Sequence, residues 1–120
     1  MIYLDKLVSI FKVLSDQTRL RILVLLYQES LCVCEFTGVL DSTQPKVSKG
    51  LSKLRDLNLV VDERKEKFVF YSLNKENKTL LKILEDILSN IDEYPQLKID
   101  QKRLSHKEEY LDQCNPLSVL

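Results

Sequence analysis

Between Asp16 and Gln28 the chain carries Leu20, Ile22, Leu23, Val24, Leu25, Leu26 and Tyr27, and a helix through this stretch has hardly any polar side. A helix that is apolar around most of its circumference must be enclosed by other elements. With Asp16 as its N-cap, this segment is therefore the expected centre of the core. The chain has 120 residues, 44% of them hydrophobic. That suffices for one domain with a modest core, to which dimerisation is expected to add.

On either side the spacing is helical. Leu4, Leu7, Val8, Phe11 and Leu14 recur at three and four residues, one apolar helix face. Val33, Phe36 and Leu40 mark a short third helix, and Asp41, Ser42 and Thr43 supply turn and cap chemistry before a fourth. Pro45 falls in the first turn of that helix, where a missing N–H does no harm. Within it Val47, Leu51 and Leu54 must face inward, while Ser42, Lys46, Lys49 and Lys53 line another side at about 100° per residue.

Two β-rich runs follow, Leu59 to Val61 and Phe68 to Leu73, around the charged tip Asp62 to Lys67; they read as a hairpin. Asn74 or Asn77 can cap a fifth helix with Leu80, Leu81, Leu84, Ile87, Leu88 and Ile91. Its apolar surface is too broad for an edge helix of so small a domain, and a dimer interface would bury it. Pro95 interrupts the pattern, and Asp100 to Asp112 offers a further weak helix with Leu104 and Leu111 on one side. We therefore divide the chain into a domain over 1–93 and a C-terminal extension over 94–120 carrying Cys114.

Eighteen basic and eighteen acidic residues cancel, which argues against a generic nucleic-acid-coating polycation. The distribution is uneven, however. Ser42 to Arg55 holds Lys46, Lys49, Lys53 and Arg55 with no acid, whereas Asp92 to Leu120 holds six acids against four bases. Three helices, a cationic helix, a hairpin and a helix is the order of a winged helix-turn-helix. In that mainly α fold with a β-hairpin, the fourth helix enters the major groove of double-stranded DNA.

No stretch approaches the roughly 18 apolar residues of a membrane helix, and Met1 to Asp5 lacks the order of a signal peptide. A cytoplasmic protein is expected, with no membrane partner. There three cysteines, Cys32, Cys34 and Cys114, read as ligands or buried thiols rather than as a disulfide framework. Thiolates suit arsenic(III), antimony(III), cadmium or lead and are poor partners for hard cations. On a regular helix residues i and i+2 differ by about 200°, so Cys32 and Cys34 cannot both grip one ion unless the helix start unwinds. That distortion is the differential free energy that coupling to DNA requires.

The stretch Leu14 to Leu23, Leu-Ser-Asp-Gln-Thr-Arg-Leu-Arg-Ile-Leu, resembles the opening of the ArsR/SmtB family of metal-responsive repressors. Leu31 to Glu35 is similar to that family's arsenic-binding cysteine box, Ser42 to Arg55 to its recognition helix, and Glu63 to Leu73 to its wing. The resemblance implies a homodimeric repressor of a pseudo-palindromic operator, with arsenic(III) or antimony(III) as inducer and no permanent cofactor. It places DNA contacts at Thr43, Gln44, Lys46, Ser48 and Lys49; Gln44 is suited to adenine, and the lysines to guanine or phosphate. Lys53 extends the cationic side, and Arg64, Lys65 and Lys67 are expected to add modest phosphate contact. Gly50 stands where relatives often carry a bulkier polar residue, and is expected to allow close approach to DNA. The wing tip also lacks the usual glycine.

Arsenic(III) takes three thiolates, and many relatives supply the third from the position held here by Thr37. Cys114 is then the expected third ligand, from the same subunit or its partner; the alternative is that two thiolates act with an exogenous ligand. A thiol redox or reactive-sulfur switch joining Cys32 or Cys34 to Cys114 is a rival reading, as is a cadmium or lead sensor. Glu85, Asp86, Asp92 and Glu93 lack the histidines of a zinc site, and His106 is expected to be a solvated tail residue. Without a second histidine there is no convincing acid and base pair for catalysis, and no Cys-x-x-Cys unit of a thiol oxidoreductase is present, so no enzyme is expected. A winged fold used for protein contact alone is a further possibility.

Overall fold

The computed structural model describes residues 2–113, with the side chains of 4–110. At its centre lies α2 (Gln17–Gln28). Asp16 caps it, its carboxylate accepting the Arg19 backbone N–H at 2.9 Å. Every residue from Ile22 to Leu26 is 5% exposed or less. The elements that cover it are α1 (Ile2–Leu14), α4 (Gln44–Asp56), β3 (Phe68–Leu73), α5 (Lys78–Ser89) and α6 (Pro95–Leu104).

The wing is the expected hairpin, β2 (Val60–Lys65) with β3, antiparallel, joined by Glu66 and Lys67. Glu66 has φ 58°, at the first position of a two-residue turn where glycine is usual; a side chain there costs about 1–2 kcal/mol. A third strand, β1 (Leu31–Cys32), adds to β3, giving the order β1-β3-β2. No periodicity announces a strand of two residues. The short helix α3 (Val33–Leu40) follows directly, and the whole is a winged helix-turn-helix.

Two helices carry apolar side chains that the fold does not cover. In α1 the core receives Ile10 and Val13, while Leu4, Val8 and Phe11 remain 56%, 42% and 55% exposed. In α5, capped by Asn77 through the Leu80 N–H at 3.1 Å, Leu80 and Leu84 are fully buried. Leu81, Ile83, Ile87 and Leu88 are only partly covered.

The C-terminal segment departs from expectation. Pro95 opens α6 rather than interrupting a helix, because its missing N–H is harmless in a first turn. The single helix expected over Asp100 to Asp112 is divided into α6 and α7 (Lys107–Gln113). The Ser105 and His106 N–H groups bond three residues back, to Lys102 and Arg103 carbonyls, and this tightening ends α6. Leu97 and Leu104 join the core, and Asp100, 1% exposed, meets Arg21 of α2. Arg21 Nε donates to Oδ2 at 2.8 Å, and Nη2 donates to Oδ1 at 2.8 Å and to the Leu40 carbonyl at 3.0 Å. Gln96 donates to the same carboxylate at 3.1 Å. The bidentate bond to Asp100 pushes Arg21 further up from its ordinary pKa, so one ion pair ties α2, the end of α3 and α6 together.

Removing one partner of such a pair strands a buried charge, at roughly 3–5 kcal/mol. Asp100→Ala is expected to fall in that range by urea unfolding, and Arg21→Ala with Asp100→Ala to cost less than the sum of the two singles. Strict additivity would show that the pair does not act as a unit.

Candidate nucleic-acid interface and thiol site

Helix α4 presents what its sequence promises. Val47, Leu51 and Leu54 are 0% exposed, so Gln44, Lys46, Lys49 and Lys53 face solvent, with Ser48 half-buried beside them. Thr43 is the extended N-cap residue, and its hydroxyl makes no capping bond. Arg55, at the far end, bonds Asp62 of β2 at 3.3 Å, fastening the wing to the helix. Arg64, Lys65 and Lys67 are exposed on that wing, and Lys65 Nζ stands 5.9 Å over the Phe70 ring.

Gly50 requires a correction. It is buried against α2, and a Cβ there would stand 3.1 Å from Ile22 Cδ1 and 3.8 Å from Arg19 Cγ. Its smallness serves the approach of α2 and α4, not the approach of DNA.

The cysteine box is also built differently from two thiols on one helix. Cys32 belongs to β1, extended at φ −95° and ψ 168°, and is the N-cap of α3. Its register partner is Phe70 of β3. Only Cys34 lies within the helix, in its first turn, so Cys32 is already off the helical path and the 200° separation does not apply. Glu35, 2% exposed, reaches back to accept the Cys32 N–H at 3.1 Å, and the Cys32 sulfur faces the Glu35 N–H. Burial, aided by the nearby Glu35 carboxylate and opposed by backbone N–H groups, raises the Cys32 thiol above its ordinary value of 9.0. Cys32 is a free thiol, whereas Cys34 is held as a disulfide. Thr37, where the family resemblance implies a third cysteine in many relatives, donates its hydroxyl to the Cys34 carbonyl at 2.8 Å. Cys114 lies outside the described residues.

Over this box lie the C-terminal helices. Tyr110 of α7 sits on Gly38 of α3, so that a Cβ at Gly38 would overlap its ring. Lys107 pairs with Glu29 at 2.8 Å. Neither this cover nor the Arg21–Asp100 pair has a local signature in the sequence, beyond a glycine inside a short helix for the first. His106 is on the surface, 3.7 Å from Glu109, and Asp92 pairs with Lys98 at 3.0 Å. Among the described residues no three His, Cys, Asp or Glu side chains converge as a metal cluster, and no helix is long and apolar enough to cross a membrane.

Comparison with known proteins agrees with this architecture. Residues 16–61 match the family described as bacterial regulatory protein, arsR family. Over 68 residues the chain is 44% identical to the arsenic resistance transcriptional regulator ArsR1 of Pseudomonas putida, covering 56% of this chain. It spans only 53% of that relative's length. It is 35% identical over 86 residues to the arsenical resistance operon repressor of Staphylococcus aureus, covering 72% of this chain and 77% of that protein. The crystal structure of the AntR antimony-specific transcriptional repressor superposes with a TM-score of 0.63 at 30% identity, over 77% of this chain and 82% of that one.

The Cys32 environment has a measurable consequence. A pKa raised on folding contributes stability that is complete below the unfolded thiol's value and is lost as pH climbs through the folded one. Reduced protein is expected to lose stability above its ordinary thiol value of 9.0 more steeply than Cys32→Ala, in urea unfolding over a pH series. Equal slopes for the two proteins would refute the burial argument.

Proposed function

Since the chain belongs to the ArsR family of bacterial regulatory proteins, we propose that it is a homodimeric transcriptional repressor whose α4 helices read a pseudo-palindromic operator and release it when the thiols bind arsenite or antimonite. The observation that carries this reading is the position of Cys32, which is at once the N-cap of α3 and a partner of the wing strand β3. Helix α3 packs on α4. A ligand drawing Cys32 and Cys34 together therefore bears on the reading helix and the wing at once, and the cost of that movement is the coupling free energy. The uncovered faces of α1 and α5 support a dimer, since burying Leu4, Val8 and Phe11 is worth several kcal/mol. Gln44 and Ser48 serve for base contact; Thr43, Lys46, Lys49 and Lys53, with Arg64, Lys65 and Lys67 of the wing, hold phosphates.

The buried, protonated Cys32 favours arsenite over cadmium or lead. Arsenous acid exchanges its three hydroxyls for three thiols, and each thiol proton leaves in a water molecule, so no net proton is released. A dication must instead displace the proton from each thiol. Cys114 serves as the third thiol. Tyr110 rests on Gly38, α7 ends at Gln113, about 5 Å further along its axis and next in the chain to Cys114, and Cys34 lies one turn, about 6 Å, from Gly38. Donation within one subunit is thus within reach.

The disulfide at Cys34 favours a second reading, a thiol switch in which Cys34 and Cys114 are oxidised together. Peroxide would take two protons and two electrons from the pair and leave as two waters. Both readings are tested by fluorescence anisotropy of reduced protein on duplex DNA from upstream of its own gene. Stoichiometric release by arsenite, with an affinity flat across neutral pH, is the expected result. Cadmium affinity should climb by up to about tenfold per pH unit for each proton displaced. Binding indifferent to arsenite but reversibly lost to peroxide selects the thiol switch, and undiminished arsenite binding by Cys114→Ser removes that residue from the site.

A further inference from the structure

A cleft of about 640 Å³ separates the start of α2 from the flank of α4. Four cations line it, Arg19, Lys46, Lys49 and Lys53, against two acids, Asp16 and Asp56. None of the three lysine side chains has a hydrogen bond or ion pair among the described residues. Arg19 is the unusual member. Its Nε is buried without a hydrogen bond, the one such side-chain atom among the described residues. The nearest carboxylate oxygen, Asp16 Oδ2, is 3.7 Å away and already accepts the Arg19 backbone N–H. By contrast Arg21 and Arg55 are both hydrogen-bonded to aspartates. Burying an unpaired guanidinium nitrogen is costly, and a fork of donors at the mouth of a cationic cleft fits a phosphate oxygen pair.

We infer that Arg19, with Lys46 and Lys53, clamps a backbone phosphate of bound DNA, so that α2 is itself part of the DNA-binding surface. This rests on the repressor reading and deepens it. At about 100° per residue, Lys46, Gly50 and Lys53 share the flank of α4 that faces α2, while Gln44 and Ser48 lie on the opposite flank. One side of α4 thus holds the backbone and the other is free for bases. The tight contact a Cβ at Gly50 would make is with Ile22 Cδ1 at 3.1 Å, so the missing side chain lets α2, and Arg19 with it, lie close to this flank.

The test is anisotropy on the upstream duplex and on an unrelated duplex of equal length, over a salt series. Each phosphate contact contributes about 0.9 to the slope of log affinity against log salt. Arg19→Gln is expected to lower that slope by about 0.9 and to weaken both duplexes by the same factor, leaving their ratio intact. Arg19→Lys keeps the stem and the charge and is expected to hold the wild-type slope; it decides the matter if Arg19→Gln melts early. An unchanged slope in Arg19→Gln, or an equal loss of slope in Arg19→Lys, overturns the clamp. Wild-type protein that binds neither duplex overturns the repressor reading, and the clamp with it.

Discussion

Everything in this fold is arranged around the need to cover α2 on all sides. Five consecutive residues, Ile22 to Leu26, are buried, and no single neighbour can enclose a helix through more than part of its circumference. Helices α1, α4, α5 and α6 and strand β3 divide the task. The DNA-facing helix is therefore placed by its back. Val47, Leu51 and Leu54 seat α4 in the core, and the absence of a side chain at Gly50 sets how closely it lies on Ile22. The polar outer face is left with no structural duty and is free to carry charge.

Chemistry at the cysteine box has little distance to travel. Cys32 stands in register with Phe70 in the sheet that forms the wing, gives its N–H to Glu35, and also begins the helix that supports α4. Backbone bonds of this kind are worth about 1 kcal/mol each net, which is the scale of a typical allosteric coupling, about 1–3 kcal/mol. On the proposed function, loss of one or two of them is a sufficient signal. The Arg21–Asp100 pair works in the other direction: by holding the Leu40 carbonyl as well as α6, it fixes the far end of α3, so that movement is confined to the end bearing the thiols.

Periodicity made the long elements legible in the sequence. The apolar girth of α2, the three inward residues of α4 and the two runs of the hairpin each leave a pattern over several residues. What escaped has no such pattern. Strand β1 is two residues long, and the contact of Gly50 with Ile22 is a tertiary fact that composition cannot carry. Arg21 and Asp100 are far apart in the chain, and nothing local distinguishes them from solvated charges. Pro95 reads as a stop because proline ends helices, yet it also begins them, and only the packing of Leu97 and Leu104 decides between the two. At the site, the identities of the α4 side chains were readable, while the off-helix position of Cys32 was not.

The N-cap of α3 is a sulfur. Thiols are weak acceptors, and a serine, threonine or aspartate in that place would secure the first turn by about 1 kcal/mol more. On the proposed function, the turn that a thiol ligand would rearrange is thereby held less firmly than it could be. Signal threshold and helix capping are, on that same proposed function, one property: a residue that fastened the helix better would raise the concentration of inducer needed to open it, even if the sulfur chemistry were untouched.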